Sequence, residues 1–203
     1  MPNHITNIIT INGVSKERTA EILAAIRSDE DGLQRNSLDF NKIIPMPENI
    51  FRGNLGKAEK ELYGKNNWYD WSVRNWGSKW NSYGYDSPAF HNADNEIEFL
   101  TAWSRVDPIM ERLSQIFPDA EFFYQWADED IGSNVGQQTW QNGEITDEFI
   151  PDHLSAGAYE LAADIMGVDL AEHGLQYSED DETYHYVDSD MDESEEPGMG
   201  GLT

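Results

Sequence analysis

Glu96-Ile97-Glu98-Phe99-Leu100-Thr101-Ala102-Trp103, then Asp107-Pro108, then Ala120-Glu121-Phe122-Phe123-Tyr124-Gln125-Trp126-Ala127 is the stretch that decides the fold. The first eight residues alternate acidic and apolar side chains at the two-residue period of a half-buried strand. Pro108 suits the first turn of a helix, where its missing amide would be unpaired anyway. Ile109, Leu113 and Ile116 mark the apolar stripe of that helix, and Pro118 stops it. The last eight residues form a second strand. Strand, helix, strand is the unit from which the rest of the chain is read.

Working backwards, Ile5-Thr6-Asn7-Ile8-Ile9-Thr10-Ile11-Asn12 alternates in the same way and stops at Gly13. Ser15 is placed to cap a helix carrying Ile22, Leu23 and Ile26, with Glu17 in the first turn where the helix dipole favours an acid. Leu38-Asp39-Phe40-Asn41-Lys42-Ile43-Ile44 reads as another strand, ended by Pro45-Met46-Pro47. A Gly-, Asn- and Pro-rich insertion at 48–93 follows, with a short helix around Lys57 to Tyr63. The order βαβ, insertion, βαβ predicts an α+β protein with a ferredoxin-like split βαβ antiparallel sheet.

Working forwards, residues 136–140 and 144–149 flank Asn142-Gly143, a strong hairpin signal because both turn residues tolerate positive φ. A helix follows with Leu154, Ala158, Leu161, Ala162 and Ile165 on one face. Asp152 or Ser155 caps it and Gly167 terminates it. Residues 183–187 are expected to add an edge strand. Residues 188–203, acids followed by Gly-Met-Gly-Gly, have too little apolar surface to fold alone. The expected organisation is a domain at 1–150, an acidic helical extension at 151–187 and an acidic, Gly-containing tail at 188–203.

The charge is distributed unevenly. Residues 1–80 carry eleven basic and ten acidic residues, whereas residues 81–203 carry only Arg105 and Arg112 against twenty-nine acids. From 113 to 203 there is no Lys or Arg, but there are twenty-three Asp and Glu. Acidic proteins usually intersperse some Lys to relieve self-repulsion. A surface without them repels nucleic acid and anionic membranes and attracts basic proteins. The acids Asp128, Glu129, Asp130, Glu144, Asp147, Glu148, Asp152, Glu160 and Asp164 are the candidate partner-binding residues.

Chemistry is harder to find. Zero Cys excludes disulfides, thiolate metal sites and a Cys nucleophile, and fits a cytoplasmic protein. No two of the five histidines stand at a zinc-pair spacing, and no Gly-x-Ser-x-Gly elbow or phosphate loop is present. Asp128-Glu129-Asp130 and Asp188 to Glu193 suggest calcium, but the second run has Glu193 where an EF-hand loop needs Gly and Met199 where it needs an acid. No catalytic residue, metal or cofactor is expected, and no apolar run is long enough to span a bilayer.

Trp68, Trp71, Trp76 and Trp80 crowd into thirteen residues at offsets that no single helical face can hold. Two readings follow: a roof over an open sheet face, or, with Lys79 beside them, a platform for single-stranded bases. Met1-Pro2-Asn3-His4-Ile5-Thr6-Asn7, Phe40-Asn41-Lys42-Ile43-Ile44-Pro45-Met46-Pro47, and Trp68-Tyr69-Asp70-Trp71 with Asn75-Trp76-Gly77-Ser78-Lys79-Trp80-Asn81 resemble the YubB-like ferredoxin-like domain family of phage and plasmid proteins. The resemblance covers about residues 1–150. It implies a ferredoxin-like fold and a mobile-element origin, and it carries no activity onto particular residues.

Together these readings give the functional expectation. The protein is expected to be a non-enzymatic inhibitor that presents a DNA-like acidic face to a basic host protein, such as a restriction enzyme, a CRISPR effector or another nucleic-acid-processing complex. Direct nucleic-acid binding is not expected. The alternatives are a general accessory interaction module and a single-strand-binding sheet that uses the tryptophans.

Overall fold

The computed structural model describes residues 2–29, 37–85 and 94–187. Its centre is a five-stranded, wholly antiparallel sheet built from β1 (His4–Asn12), β2 (Glu96–Ala102), β3 (Glu121–Asp128), β4 (Gly136–Gln141) and β5 (Glu144–Phe149), in the spatial order β2-β1-β3-β4-β5. β1 pairs with β2 on one side (Ile9 opposite Ile97) and with β3 on the other (Ile9 opposite Tyr124). Both partners run antiparallel to β1 and therefore parallel to each other, with β1 between them. With α5 (Asp107–Ile116) as the crossover, β2-α5-β3 is a split βαβ unit of the ferredoxin-like kind.

The alternation read in the sequence becomes a two-faced sheet. Ile5, Ile9, Ile11, Ile97, Phe99, Phe122, Tyr124, Trp126 and Trp140 point into one core, where they meet Ile22, Leu23 and Ile26 of α1 (Lys16–Ile26) and Ile109, Met110 and Leu113 of α5. Ser15 caps α1 by accepting from the Arg18 amide. The other face is partly covered by α6 (Ala156–Met166), whose Ala158, Tyr159, Ala162 and Ile165 pack with Ala127, Ile131 and Val135. Ser155 caps this helix and Gly167, at φ 64°, ends it. Asn142 (φ 50°) and Gly143 (φ 85°) make the β4–β5 turn.

Several expectations are corrected. Residues 38–44 contain no strand: Phe40–Ile43 is a one-turn helix, α2, because the Asp39 side chain accepts from the Asn41 amide and caps it. Phe40 and Ile43 then fall on one side and both enter the core. The outer edge of β2, where that strand would lie in a ferredoxin-like sheet, pairs instead with Tyr83 through reciprocal backbone bonds to Leu100 of 3.1 and 2.8 Å. Ile116 is 37% exposed, and Met110 takes its place in the core. Leu154 precedes the cap of α6 and lies at the surface.

Residues 183–187 do not extend the main sheet. β7 (Thr183–Tyr186) pairs with β6 (Leu175–Ser178) in a separate two-stranded ribbon. The insertion contributes α3 (Lys57–Tyr63) and α4 (Trp68–Asn75) among its described residues. The tail expected at 188–203 lies outside the described residues. Among the described residues no helix is long and apolar enough to cross a membrane.

Candidate interaction surfaces

The candidate acids do not converge on one point. Asp128, Glu129 and Asp130 sit where β3 leaves the sheet, beside the start of β1, since the Glu129 amide donates to the His4 carbonyl at 2.9 Å. Glu144 lies beyond β4 at the far end of the hairpin. With six residues in β4 that separation is about 20 Å. Asp147 and Glu148 return along β5, opposite Thr139 and Gln138. Asp152 precedes the cap of α6, and Glu160 and Asp164, four residues apart, occupy its outer face, away from the buried Ala158, Ala162 and Ile165.

Two of these acids are anchored within the fold. Asp128 is only 6% exposed and accepts from the Asn3 side chain at 3.1 Å and the Asp130 amide at 3.0 Å, so it organises the β3–β4 loop and is no free surface charge. Glu148 accepts from the buried amide of Gln138, whose oxygen takes the Trp140 indole N–H at 3.0 Å. The rest, Glu129, Asp130, Glu144, Asp147, Asp152, Glu160 and Asp164, are exposed and have no cationic partner among the described residues.

The two cations of the acidic half are already engaged. Arg105 lies 4.5 Å from the ring of the buried Trp126 and donates to Asp107 at 3.0 Å, while Arg112 bonds the Gln115 side chain at 3.3 Å. Burial holds the Asp107 carboxyl above the usual aspartate range. Arg105 pulls it down again in part, and Glu148 adds to the rise. Among the described residues neither arginine forms an ion pair with an acid of β5 or α6.

The tryptophans divide by position. Trp76 is 4% exposed, donates to the Ile44 carbonyl at 2.9 Å and packs edge-on against Phe40 and Trp71, so it is a core residue. Trp71 borders the same core, and half-buried Trp68 donates to the Gly53 carbonyl at 3.1 Å. Trp80 stands apart. The Lys79 ammonium lies between its ring at 4.5 Å and that of Trp103 at 5.1 Å, and both indoles are more than a third exposed.

Tyr83 and Tyr69 flank this pair edge-on, and the Tyr83 hydroxyl is 2.7 Å from His4 Nδ1. Burial, with Glu129 adding to it, pushes the Tyr83 hydroxyl up to about 12. The aromatic patch thus adjoins the Glu129 end of the acidic surface. Trp103 belongs to the patch although the sequence places it at the end of a strand. It turns out of β2 at φ 74°, held by its amide to the Asn3 carbonyl at 3.0 Å, and nothing in the local sequence signals that turn.

Among the described residues no group of three His, Asp or Glu side chains is placed to hold a metal. One groove is lined by Ile11, Gly13, Lys16, Thr19, Asp94 and Asn95, another by Asn41, Met46, Arg52, Trp68 and Trp76; neither contains a histidine.

Split βαβ topology and a matching family model agree on the class of domain. Residues 76–169, a little under half of the chain, match the family model described as a ferredoxin-like domain in Api92-like protein. The matched span includes Trp76, Lys79, Trp80, β2 to β5 and α6, and leaves out Trp68 and Trp71. The chain is also similar to the crystal structure of protein Api92 from Yersinia pseudotuberculosis, at 14% identity and a TM-score of 0.38. That match covers 66% of this chain and 51% of the other, so it spans about half of that protein's length. No curated protein matches the chain.

Proposed function

We propose that this protein is a non-enzymatic interaction module that binds a basic protein partner through the exposed acids of its C-terminal half. The observation that carries the reading is the set Glu129, Asp130, Glu144, Asp147, Asp152, Glu160 and Asp164, all exposed and without a cationic partner among the described residues. Such charges are not neutralised by a neighbouring cation and, at low salt, steer the approach of a basic partner. The resemblance of the N-terminal motifs to YubB-like proteins of phages and plasmids suggests the kind of partner: a host restriction, CRISPR or other nucleic-acid-processing complex, held in the host cytoplasm and inhibited by occupation of its DNA groove.

The test is capture from a bacterial lysate at low and high salt, followed by titration of the protein into the captured target bound to labelled duplex. Displacement of the duplex, weakened steeply by salt, is the expected result. A stable ternary complex with the label undisplaced contradicts DNA mimicry. A second reading rests on Lys79 between Trp80 and Trp103, an arrangement suited to stacking a single-stranded base beside a cation. It requires direct binding of a labelled oligonucleotide that is lost in Trp80→Ala.

A further inference from the structure

β5 ends the five-stranded sheet, and no described strand pairs with its outer side. All six of its residues are exposed, including Ile145 at 43% and Phe149 at 49%. Sheet edges, whose unpaired amides and carbonyls will take another strand, are ordinarily guarded by charged side chains, above all lysine, by proline, by a bulge or by a covering element. A guard of acids alone turns away acidic strands but not basic ones. Residues 144–149 contain no lysine or proline. They carry three acids instead.

The register distributes these side chains over both faces. Ile145 and Glu148 stand opposite Trp140 and Gln138, on the side of the main core, whereas Glu144, Asp147 and Phe149 stand opposite Gln141, Thr139 and Gln137, on the side that α6 covers. A strand laid along β5 therefore meets an acid and an apolar side chain on each face. A second copy of this chain is a poor occupant, since pairing β5 with itself gathers six carboxylates, three from each copy, along one seam without a lysine or arginine. The residue opposite each acid should be Lys or Arg, and the residue opposite Ile145 or Phe149 should be apolar. Thr146 is the extra residue of a bulge between β4 and β5, which bends the edge and limits the occupant to a short segment.

We infer that β5 is a pairing edge that accepts a short extended segment of a partner protein, mixed in lysine or arginine and β-branched residues, as a sixth strand. This deepens the proposed acidic recognition and rests on it; what it adds is backbone pairing, which gives the charge attraction a direction and a register.

The probe is a capped hexapeptide, Val-Lys-Lys-Thr-Val-Lys, which laid antiparallel along residues 144–149 sets Lys opposite Glu148, Asp147 and Glu144 and Val opposite Phe149 and Ile145. It is titrated into the full chain at low salt beside an analogue N-methylated at every internal residue, which keeps side chains and charge but loses its donors. The expected result is binding of the unmethylated peptide with amide shifts and slowed hydrogen exchange confined to 136–149, and binding of the analogue weaker by about tenfold or more, as loss of one or two hydrogen bonds implies. A glutamate-for-lysine peptide should not bind. Equal binding of both lysine peptides, abolished by salt, overturns the pairing edge and leaves the acidic surface standing. No binding of either at low salt overturns the edge and counts against the acidic surface as well.

Discussion

The Gln138 side chain, 1% exposed, donates to Glu148 on the outermost strand and accepts from the Trp140 indole, so a charge on the edge of the sheet is tied to the core beneath it. Gln138→Ala orphans the indole N–H and is expected to lower the unfolding free energy by about 1–3 kcal/mol. Glu148→Gln keeps an acceptor for Gln138 and should cost less. Urea unfolding of the two variants checks the order, and equal losses would separate Glu148 from the core.

Tyr124 plays a similar part at the centre. Its hydroxyl donates to Asn7 Oδ1 at 2.7 Å and accepts from the Val106 amide at 3.0 Å, while Asn7 Nδ2 reaches Thr101 Oγ1 at 2.9 Å. Burial raises this hydroxyl far above the usual tyrosine range, so it stays protonated. Tyr124→Phe leaves two buried groups unpaired and should cost about 1–3 kcal/mol with the fold retained. Chemical denaturation with a circular dichroism readout measures both.

The tryptophans should behave differently from one another. Trp76→Ala removes a ring buried between Phe40 and Trp71 and should cost about 3–5 kcal/mol. Trp80→Ala removes a surface ring that lies against Lys79 and Tyr83, and should cost less than about 1 kcal/mol. Thermal melts of the pair decide the matter; equal destabilisation would refute the division into core and surface rings.

Asp107 gives a pH signature. Its carboxyl is raised in the folded state, chiefly by burial, so the native chain holds that proton more tightly than the unfolded chain does. The destabilisation from this group is complete above the raised folded value, shrinks as pH falls through it, and is gone below the unfolded value. Asp107→Asn should therefore gain stability relative to the parent as pH rises from the acid range to neutrality. Midpoints of denaturation across that range test the sign.

Much of this architecture is legible in the chain because the signals are local. The alternation in 5–12, 96–102 and 121–127, the Asn142-Gly143 turn and the Ser15 and Ser155 caps each depend on neighbouring residues, and each forms as read. Residues 38–44 mislead because a short apolar run suits a strand or a helical turn equally, and the capping Asp39 decides for the turn. The strand at 183–187 forms, but its pairing with 175–178 in a separate ribbon is a tertiary choice that the local sequence does not signal.

For the surface, composition reveals the charge but not its anchoring. Asp128 looks like any other acid of its run until Asn3, 125 residues away, closes over it. Trp103 joins Lys79 and Trp80 through a backbone turn that no residue type announces.

Recognition of a basic partner by the unpaired acids of the C-terminal half is tested by comparing the parent with a variant in which Glu129, Asp130, Glu144, Asp147 and Glu160 are replaced by Gln or Asn, leaving the anchored Asp128 and Glu148 in place. With the captured partner immobilised and the variant folded by circular dichroism, the expected result is affinity lost by about tenfold or more, with a shallower salt dependence. Unchanged affinity and unchanged salt dependence would mean that these acids do not hold the partner.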